Sequence, residues 1–251
     1  MKKVNTSFSR NALGWDRTNG DKGNWRSESG VSAILELLGT LKGKKTYDIA
    51  CGNGLLSRRF VLHGAKEAWA SDISPELVKI AKNNYDSKKI KYLVREATDF
   101  TKIPKNYFDS VVIHQGIFYI YDLDLLFKGI HKVLKPGGSV VFTALHPLFP
   151  LAREDMGATT AMGHKIEGLK TFYNYLKSYT KAIEKTWLVG KKRVLVKYYT
   201  YSRPLEAYVN SLGKNGLYIS EIKEVEGRTI IDDKKIKSKI PSVIVIKAVK
   251  V

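Results

Sequence analysis

The sequence is poor in cysteine, in long apolar runs and in acidic residues. Cys51 is the single cysteine among 251 residues, so no internal disulfide can form. No Cys/His cluster has zinc-site spacing, which argues against a structural metal. The longest apolar runs, such as 108–121, are too short and too interrupted to span a bilayer, and the basic N-terminus has no apolar leader segment. We therefore expect a soluble, cytoplasmic protein with no metal and no membrane partner.

Positive charge is abundant instead. Lys and Arg number 43 against 24 Asp and Glu, a formal net charge of +19. Residues 1–150 carry +9 of this charge and residues 151–251 carry +10, so no separate basic module stands out. A solvated lysine-rich surface is the simpler interpretation, but the charge also admits nucleic acid as a partner.

From residue 45 onward, apolar strands alternate with amphipathic helices. The helix at 74–85 has a favourable start, because Ser74 can cap it and Pro75 occupies its first position. Buried strands that alternate with helices predict a Rossmann-like α/β fold, with a doubly wound, mostly parallel seven-stranded sheet, helices on both faces and ligands at the carboxyl ends of the strands. The predicted strands lie at 45–50, 67–73, 90–97, 108–115, 139–145, 218–225 and 241–249.

The alternation breaks after residue 150. Apolar spacing predicts a helix over 165–179, and the pattern around Gly190 predicts a hairpin over 185–201. We interpret 151–202 as a lid-like insertion near the carboxyl edge of the sheet. The expected organisation is a single domain over 1–251, with 1–28 as an N-terminal cap segment whose Gly- and Asn-rich part should be irregular.

The stretch "YDIACGNG" places an acid, Asp48, shortly before a glycine turn at Gly52 and Gly54. A dinucleotide-binding turn cradles a pyrophosphate, which a nearby buried carboxylate would repel, and Ser57 replaces its third glycine. An acid beside such a turn suits a ligand with a positive end, such as the sulfonium of S-adenosylmethionine. In this stretch the sequence resembles the class I S-adenosylmethionine-dependent methyltransferases, in their small-molecule-type subgroup.

The resemblance continues in order through "ASDIS", "REATD", "FDSVVIHQGIFYIYD" and "LKPGGSVVFT". It implies that Asp72 accepts from the ribose hydroxyls, that Glu96 and Ala97 contact the adenine, and that His114 and Gln115 line the donor. Glu96 stands where the family usually has Asp. The resemblance implies a methyltransferase that converts S-adenosylmethionine to S-adenosylhomocysteine, with a donor site formed by Asp48, Ala50, Gly52, Gly54, Asp72, Ile73, Glu96, Ala97, His114 and Gln115.

Two N-terminal tryptophans and two later side chains are further candidates. In the resembled subgroup an N-terminal segment closes over the donor, so Trp15 and Trp25 are assigned to the donor site, although packing of this segment on the core is the simpler explanation of both. His146 follows the fifth strand at the substrate edge and is the candidate catalytic base, and Tyr119, in the loop after the fourth strand, is a second catalytic candidate that faces the same edge. A hydrogen-bonded turn histidine is the alternative for His146.

The sequence is compatible with three functions. The first is a methyltransferase acting on a small-molecule acceptor by in-line displacement, with the insertion as a lid. The second is an RNA or protein methyltransferase that uses the basic, aromatic-rich stretch 165–197 of the insertion. The third is a regulator that binds S-adenosylmethionine without catalysis. A monomer and a homodimer are both compatible with the sequence.

Overall fold

The computed structural model describes residues 7–10, 12–19, 25–146, 179–189, 192–231 and 234–251. Its helices are α1 (Ser7–Arg10), α2 (Ala12–Asn19), α3 (Trp25–Leu38), α4 (Leu55–Leu62), α5 (Pro75–Asn84), α6 (Leu123–Val133) and α7 (Leu205–Lys214), with a 3-10 turn at Ile117–Tyr119. Its strands are β1 (Lys45–Ile49), β2 (Glu67–Asp72), β3 (Ile90–Val94), β4 (Phe108–Ile113), β5 (Leu134–Leu145), β6 (Tyr179–Val189), β7 (Lys192–Ser202), β8 (Leu217–Ile231) and β9 (Lys234–Lys250).

Seven strands form one sheet in the order β3-β2-β1-β4-β5-β9-β8. The first five are parallel, whereas β9 runs antiparallel to both β5 and β8. The order reverses between β1 and β4, which is where ligands bind in doubly wound sheets. The predicted fold class is confirmed. Among the described residues, no helix is long and apolar enough to cross a membrane.

Local chemistry explains where the helices begin and end. Ser74 caps α5 as predicted, because its Oγ accepts from the backbone N–H of Leu77 at 3.1 Å. Asp122 caps α6 in the same way, accepting from Leu125 N–H at 2.8 Å. Gly216, with a φ of +70°, follows α7 and turns the chain into β8.

The sheet is covered on both faces, and each face has its own apolar core. On one face, side chains of β1, β4 and β5, including Tyr47, Ile113 and Phe142, pack with α6 and α7. On the other face, Val112 and Val141 pack with α3 and α4. The parallel strands are therefore buried on both sides, which is why they read as nearly continuous apolar runs.

The N-terminal segment is more regular than the sequence predicted. Residues 12–19 form α2, and α3 begins at Trp25 rather than at 29. The expectation of irregular structure was wrong because Phe8 and Ala12 pack on Leu77 of α5, and such tertiary burial outweighs a glycine- and asparagine-rich composition.

Part of the predicted insertion is described. β6 and β7 pair antiparallel from Tyr179↔Ser202 to Val189↔Lys192, so the predicted hairpin is confirmed and begins six residues earlier than expected. Residues 165–178 of the helix predicted over 165–179 lie outside the described residues, and Tyr179 is the first residue of β6. The division into a single domain with a cap and a lid stays a prediction.

Two helical glycines should respond oppositely to alanine. A Cβ at Gly129 in α6 would lie 2.0 Å from Cδ2 of the buried Phe100 ring, whereas a Cβ at Gly213 in α7 would meet nothing within 4 Å. We expect Gly129→Ala to lower the free energy of unfolding by about 1–3 kcal/mol through overpacking. Gly213→Ala should raise it by roughly 0.5–1 kcal/mol through helix propensity. Urea unfolding of both variants checks the pair, and equal shifts would contradict the packing described for α6.

Candidate active site

The loops that follow β1 and β4 approach each other closely at the carboxyl edge of the sheet. A Cβ on Gly116 would lie 2.8 Å from Cβ of Ala50, so only glycine fits between these loops. On the far side, a Cβ on Gly30 of α3 would lie 2.6 Å from Cε1 of His114. The structure thus brings together Ala50 and His114, which the sequence assigned to one site from positions 64 residues apart.

Asp48 is the most deeply buried acid of this edge. Its side chain is 1% exposed at the end of β1, and its Oδ2 accepts a hydrogen bond from Ser57 Oγ of α4 at 2.5 Å. Burial raises the pKa of Asp48 to about 7, the Ser57 bond opposes this shift, and the nearby charge of Asp72 adds to it. A carboxyl in this state gains most from a nearby positive charge.

Asp72 ends β2 and holds two backbone amides. Its Oδ2 accepts from Gly52 N–H and its Oδ1 from Ser74 N–H, both at 2.9 Å. Burial raises the pKa of this carboxyl, and the amide bonds work against that rise. Asp72 therefore fixes the glycine turn to the end of β2, and Ile73, half buried, continues the chain from it.

The glycine turn has an unusual backbone. Ala50, Gly52 and Gly54 have φ values of +58°, +55° and +77°, a region that favours glycine. A Cβ at Gly54 would also lie 3.0 Å from Cβ of Ala81. Gly54 stands at the N-cap of α4 without a side-chain cap, so the turn presents backbone amides at the helix N-terminus.

The loop after β4 is set by Thr143 of β5. Thr143 Oγ1 accepts from the backbone N–H of Gln115 at 2.6 Å and lies 3.4 Å from Nδ1 of His114. Gln115 has a φ of +50°, and its Nε2 is buried with no hydrogen-bond partner among the described residues. A buried side-chain amide nitrogen without a partner, at the edge of the sheet where ligands bind, can donate a hydrogen bond to an oxygen or nitrogen atom of a ligand.

The residues assigned to the adenine lie in the loop after β3. Arg95 N–H donates to the carbonyl of Asp72 at 2.8 Å, which ties this loop to the end of β2. Glu96 Oε1 accepts from Thr98 Oγ1 at 3.1 Å, and Ala97 packs against the core. Both residues are only partly buried, and they follow the end of β3, where Val94 pairs with Asp72.

The N-terminal helices lie over the glycine turn and the loop after β4. Asn53 Nδ2 donates to Asp16 Oδ1 of α2 at 2.8 Å, and the Phe8 ring of α1 meets the Tyr119 ring edge-on at 5.1 Å. Tyr119 is thus placed at the site edge, under α1. Trp15 and Trp25 lie in α2 and α3, but their side chains lie outside the part of the chain that the structure describes.

His146 lies just beyond β5 and is 5% exposed. Its Nε2 bonds Oε1 of Glu224 at 2.9 Å, and Glu224 belongs to β8 at the edge of the sheet. The ring is therefore oriented by a carboxylate two strands away.

Arg203 connects the hairpin to the loop after β4. Its guanidinium donates to the carbonyls of Ile120 at 2.6 Å and Tyr121 at 2.5 Å, and to that of Tyr201 at 3.3 Å. Sequence reasoning missed this contact, as it missed Asp16, Thr143 and Glu224. Each of them acts across at least 28 residues of chain, and no local pattern marks such a pair.

The strand order β3-β2-β1-β4-β5 matches the pattern of the class I methyltransferase fold, and Asp48 and Asp72 are buried at the ends of two adjacent strands of this sheet. Residues 47–142 match the family model described as a methyltransferase domain. Over this segment the chain is similar to the S-adenosylmethionine-dependent methyltransferases, and its sheet has their fold.

Relatives and solved structures agree with this assignment. The chain is 31% identical over 118 residues to a ubiquinone biosynthesis O-methyltransferase of Xanthomonas oryzae, covering 46% of this chain and 47% of that protein. A protein of the same name from Coxiella burnetii is 31% identical over 112 residues, covering 44% and 47%. The matched part thus spans about half the length of these relatives.

Two solved structures share the fold. A protein from Listeria monocytogenes assigned to the S-adenosylmethionine-dependent methyltransferases has a TM-score of 0.64 at 22% identity, covering 89% of this chain and 99% of that one. An S-adenosylmethionine-dependent methyltransferase from Clostridium acetobutylicum has a TM-score of 0.62 at 17% identity, covering 89% and 91%. The similarity extends well beyond the segment matched by the family model.

Proposed function

We propose that this protein transfers a methyl group from S-adenosylmethionine to a small-molecule acceptor. The observation that carries the proposal is the pair of buried acids, Asp48 and Asp72, on either side of a glycine turn with left-handed backbone. Two carboxylates at the end of adjacent strands suit a cationic, hydroxyl-bearing ligand and disfavour a pyrophosphate. The names of the relatives support the reaction class.

The residues of the site fit this donor. Asp48 supplies negative charge behind the turn, Asp72 a carboxylate beside it, and Gln115 a buried amide with an unmet donor. Bound S-adenosylmethionine would supply a methyl group activated by its sulfonium. The chain's own task is then to hold the acceptor in line with that methyl and to exclude water.

Enclosure of the edge supports a small acceptor. α2 lies against β6, and both α1 and the 3-10 turn lie against β7, so the N-terminal helices and the hairpin stand on the same side of the site. Arg203 fixes the base of the hairpin to the loop that carries Gln115 and Tyr119. A site covered by both the N-terminal helices and the hairpin suits an enclosed small molecule better than a macromolecular surface.

The His146–Glu224 pair suits a general base that is held by a carboxylate. We expect His146→Gln to lower methyl transfer by about 100-fold, within the usual contribution of a positioned acid–base group, while S-adenosylhomocysteine binds as before. Glu224→Gln should give a smaller loss, because the ring remains but its orienting charge is gone. Rates and calorimetry on both variants check this, and an unchanged rate in His146→Gln would leave His146 a structural strand-end residue.

The acceptor class is tested by incubating the protein with radiolabelled S-adenosylmethionine and a cell extract, then counting small-molecule, RNA and protein fractions. Label in the small-molecule fraction is the expected result. Label in RNA that ribonuclease removes, or label in protein, would overturn the small-molecule acceptor. Binding of donor without label in any fraction would overturn turnover itself.

A further inference from the structure

The amino-terminal edge of the sheet, opposite the candidate active site, is dense in lysine. Five segments lead into the parallel strands, namely 39–45, 62–67, 85–91, 101–109 and 131–138. Together they contain eleven Lys and three acidic residues, Glu67, Asp86 and Asp109. A net charge of +8 out of +19 is therefore concentrated in 37 of the 251 residues.

These segments lie side by side as one row. Lys66 N–H donates to the carbonyl of Lys44 at 2.8 Å, and Ala68 N–H to that of Lys89 at 2.8 Å. Asn106 N–H donates to the carbonyl of Lys132 at 3.1 Å. Segments 39–45 and 101–109 are joined in the same way, because Lys45 N–H donates to Asp109 Oδ2 at 2.8 Å.

The acids of this edge are mostly neutralised within it. Glu67 lies 4.0 Å from Lys45 Nζ, and Asp109 lies 2.8 Å from Lys135 Nζ. Among the described residues, no ion pair joins the other nine lysines to an acid. These nine are all exposed and form what we call the basic edge: Lys42, Lys44, Lys66, Lys88, Lys89, Lys91, Lys102, Lys105 and Lys132.

The row of segments is about as long as a short stretch of a polyanion. Adjacent strands are about 4.8 Å apart, so five strand starts span roughly 20 Å. A nearly linear array of exposed ammonium groups, without bidentate guanidinium or an apolar patch, matches phosphates repeated along one strand rather than a single phosphate group.

We propose that the basic edge binds the phosphate backbone of single-stranded RNA. The contact is electrostatic and independent of base sequence. Since β1 alone is five residues long, this edge lies roughly 16 Å from the candidate active site. The bound strand is therefore a tether that localises the enzyme and not the methyl acceptor, and the inference does not rest on the proposed function.

A fluorescein-labelled uridine oligomer tests the proposal by anisotropy across a salt series. The variant Lys44→Gln/Lys66→Gln removes two neighbouring charges of the basic edge. The matched control, Lys79→Gln/Lys128→Gln, removes two exposed lysines from the middle of α5 and α6. We expect the edge variant to bind about tenfold more weakly at 50 mM salt, and its salt slope to fall by roughly 1.4, or 0.7 for each lost phosphate contact.

The control variant should keep the wild-type slope, and all three proteins should bind S-adenosylhomocysteine equally in calorimetry. If both variants lose the same RNA affinity, the basic edge is not the binding site. The net charge of the whole molecule would then account for the binding. Wild-type protein that ignores the RNA, or that binds anionic phosphatidylserine vesicles in its place, would also overturn the proposal.

Discussion

Asp72→Ala loses about 100-fold in affinity for S-adenosylhomocysteine, in our expectation, while the protein remains folded. Two effects add here. The proposed carboxylate contacts to the ribose are lost, and each charge-assisted hydrogen bond contributes about 1.5–3 kcal/mol. The turn itself also loosens, because Gly52 and Ser74 lose the oxygens that hold their amides at 2.9 Å. Titration calorimetry measures the change directly.

Asp109→Asn is the matched control for Asp72→Ala. Asp109 also bonds a backbone amide, that of Lys45 at 2.8 Å, but it lies at the opposite edge of the sheet. Its replacement should leave the affinity for S-adenosylhomocysteine unchanged. Circular dichroism of both variants verifies folding, and an Asp72→Ala protein that is folded and binds normally would mean that the donor lies elsewhere.

Affinity for S-adenosylmethionine should rise with pH between 5.5 and 7.5. The pKa of the buried Asp48 is about 7, so the side chain is mostly protonated at pH 5.5 and gains its charge across this window. A cationic donor favours the ionised carboxylate, so binding below the pKa must also release a proton. We expect the dissociation constant to fall by up to about tenfold per pH unit at first and to level off near pH 7.5.

Stability should change in the opposite direction. The folded protein keeps a proton on Asp48 that the unfolded chain, in which this carboxyl has its ordinary pKa of 3.8, has already released. The contribution of Asp48 to the free energy of unfolding therefore decreases as pH rises from about 4 to about 7, and this contribution is constant above that. Asp72, whose pKa is also raised by burial, acts in the same sense.

The variant Asp48→Asn separates the contribution of this carboxyl to the pH dependence of donor affinity and stability from the contributions of other titratable groups. The amide keeps a similar shape and can still bond Ser57, but it cannot ionise. Its donor affinity should be low at every pH from 5.5 to 7.5, and its unfolding free energy should depend less on pH than that of the wild type. A variant that retains the full pH dependence of donor binding would assign the titration to another group.

The sequence predicts the sheet and most of the site because the relevant signals are local. Asp48 and Asp72 each follow a short apolar run, and the carboxyl ends of neighbouring parallel strands must meet at one edge. The cap at Ser74 is likewise a matter of a few adjacent residues, and all of these features are present in the structure.

The contacts that orient the site are not local and escaped prediction. Thr143 fixes Gln115 from the neighbouring strand, and Glu224 bonds His146 across 78 residues of chain. α2 forms in a segment that composition marks as irregular, because Phe8 and Ala12 find an apolar partner in Leu77 of α5. In each case the deciding partner is known only when the tertiary packing is known.

The position of β9 has a consequence for how the protein folds. β9 lies between β5 and β8 and pairs with β5 at Ser139↔Val249, across more than a hundred residues of chain. β8 and β9 form a hairpin by local pairing, which is fast, whereas closing the long loop to β5 carries a large entropic cost. We therefore expect the parallel strands and the β8–β9 hairpin to form separately, and their docking along β5 to limit the rate at which the seven-stranded sheet is completed.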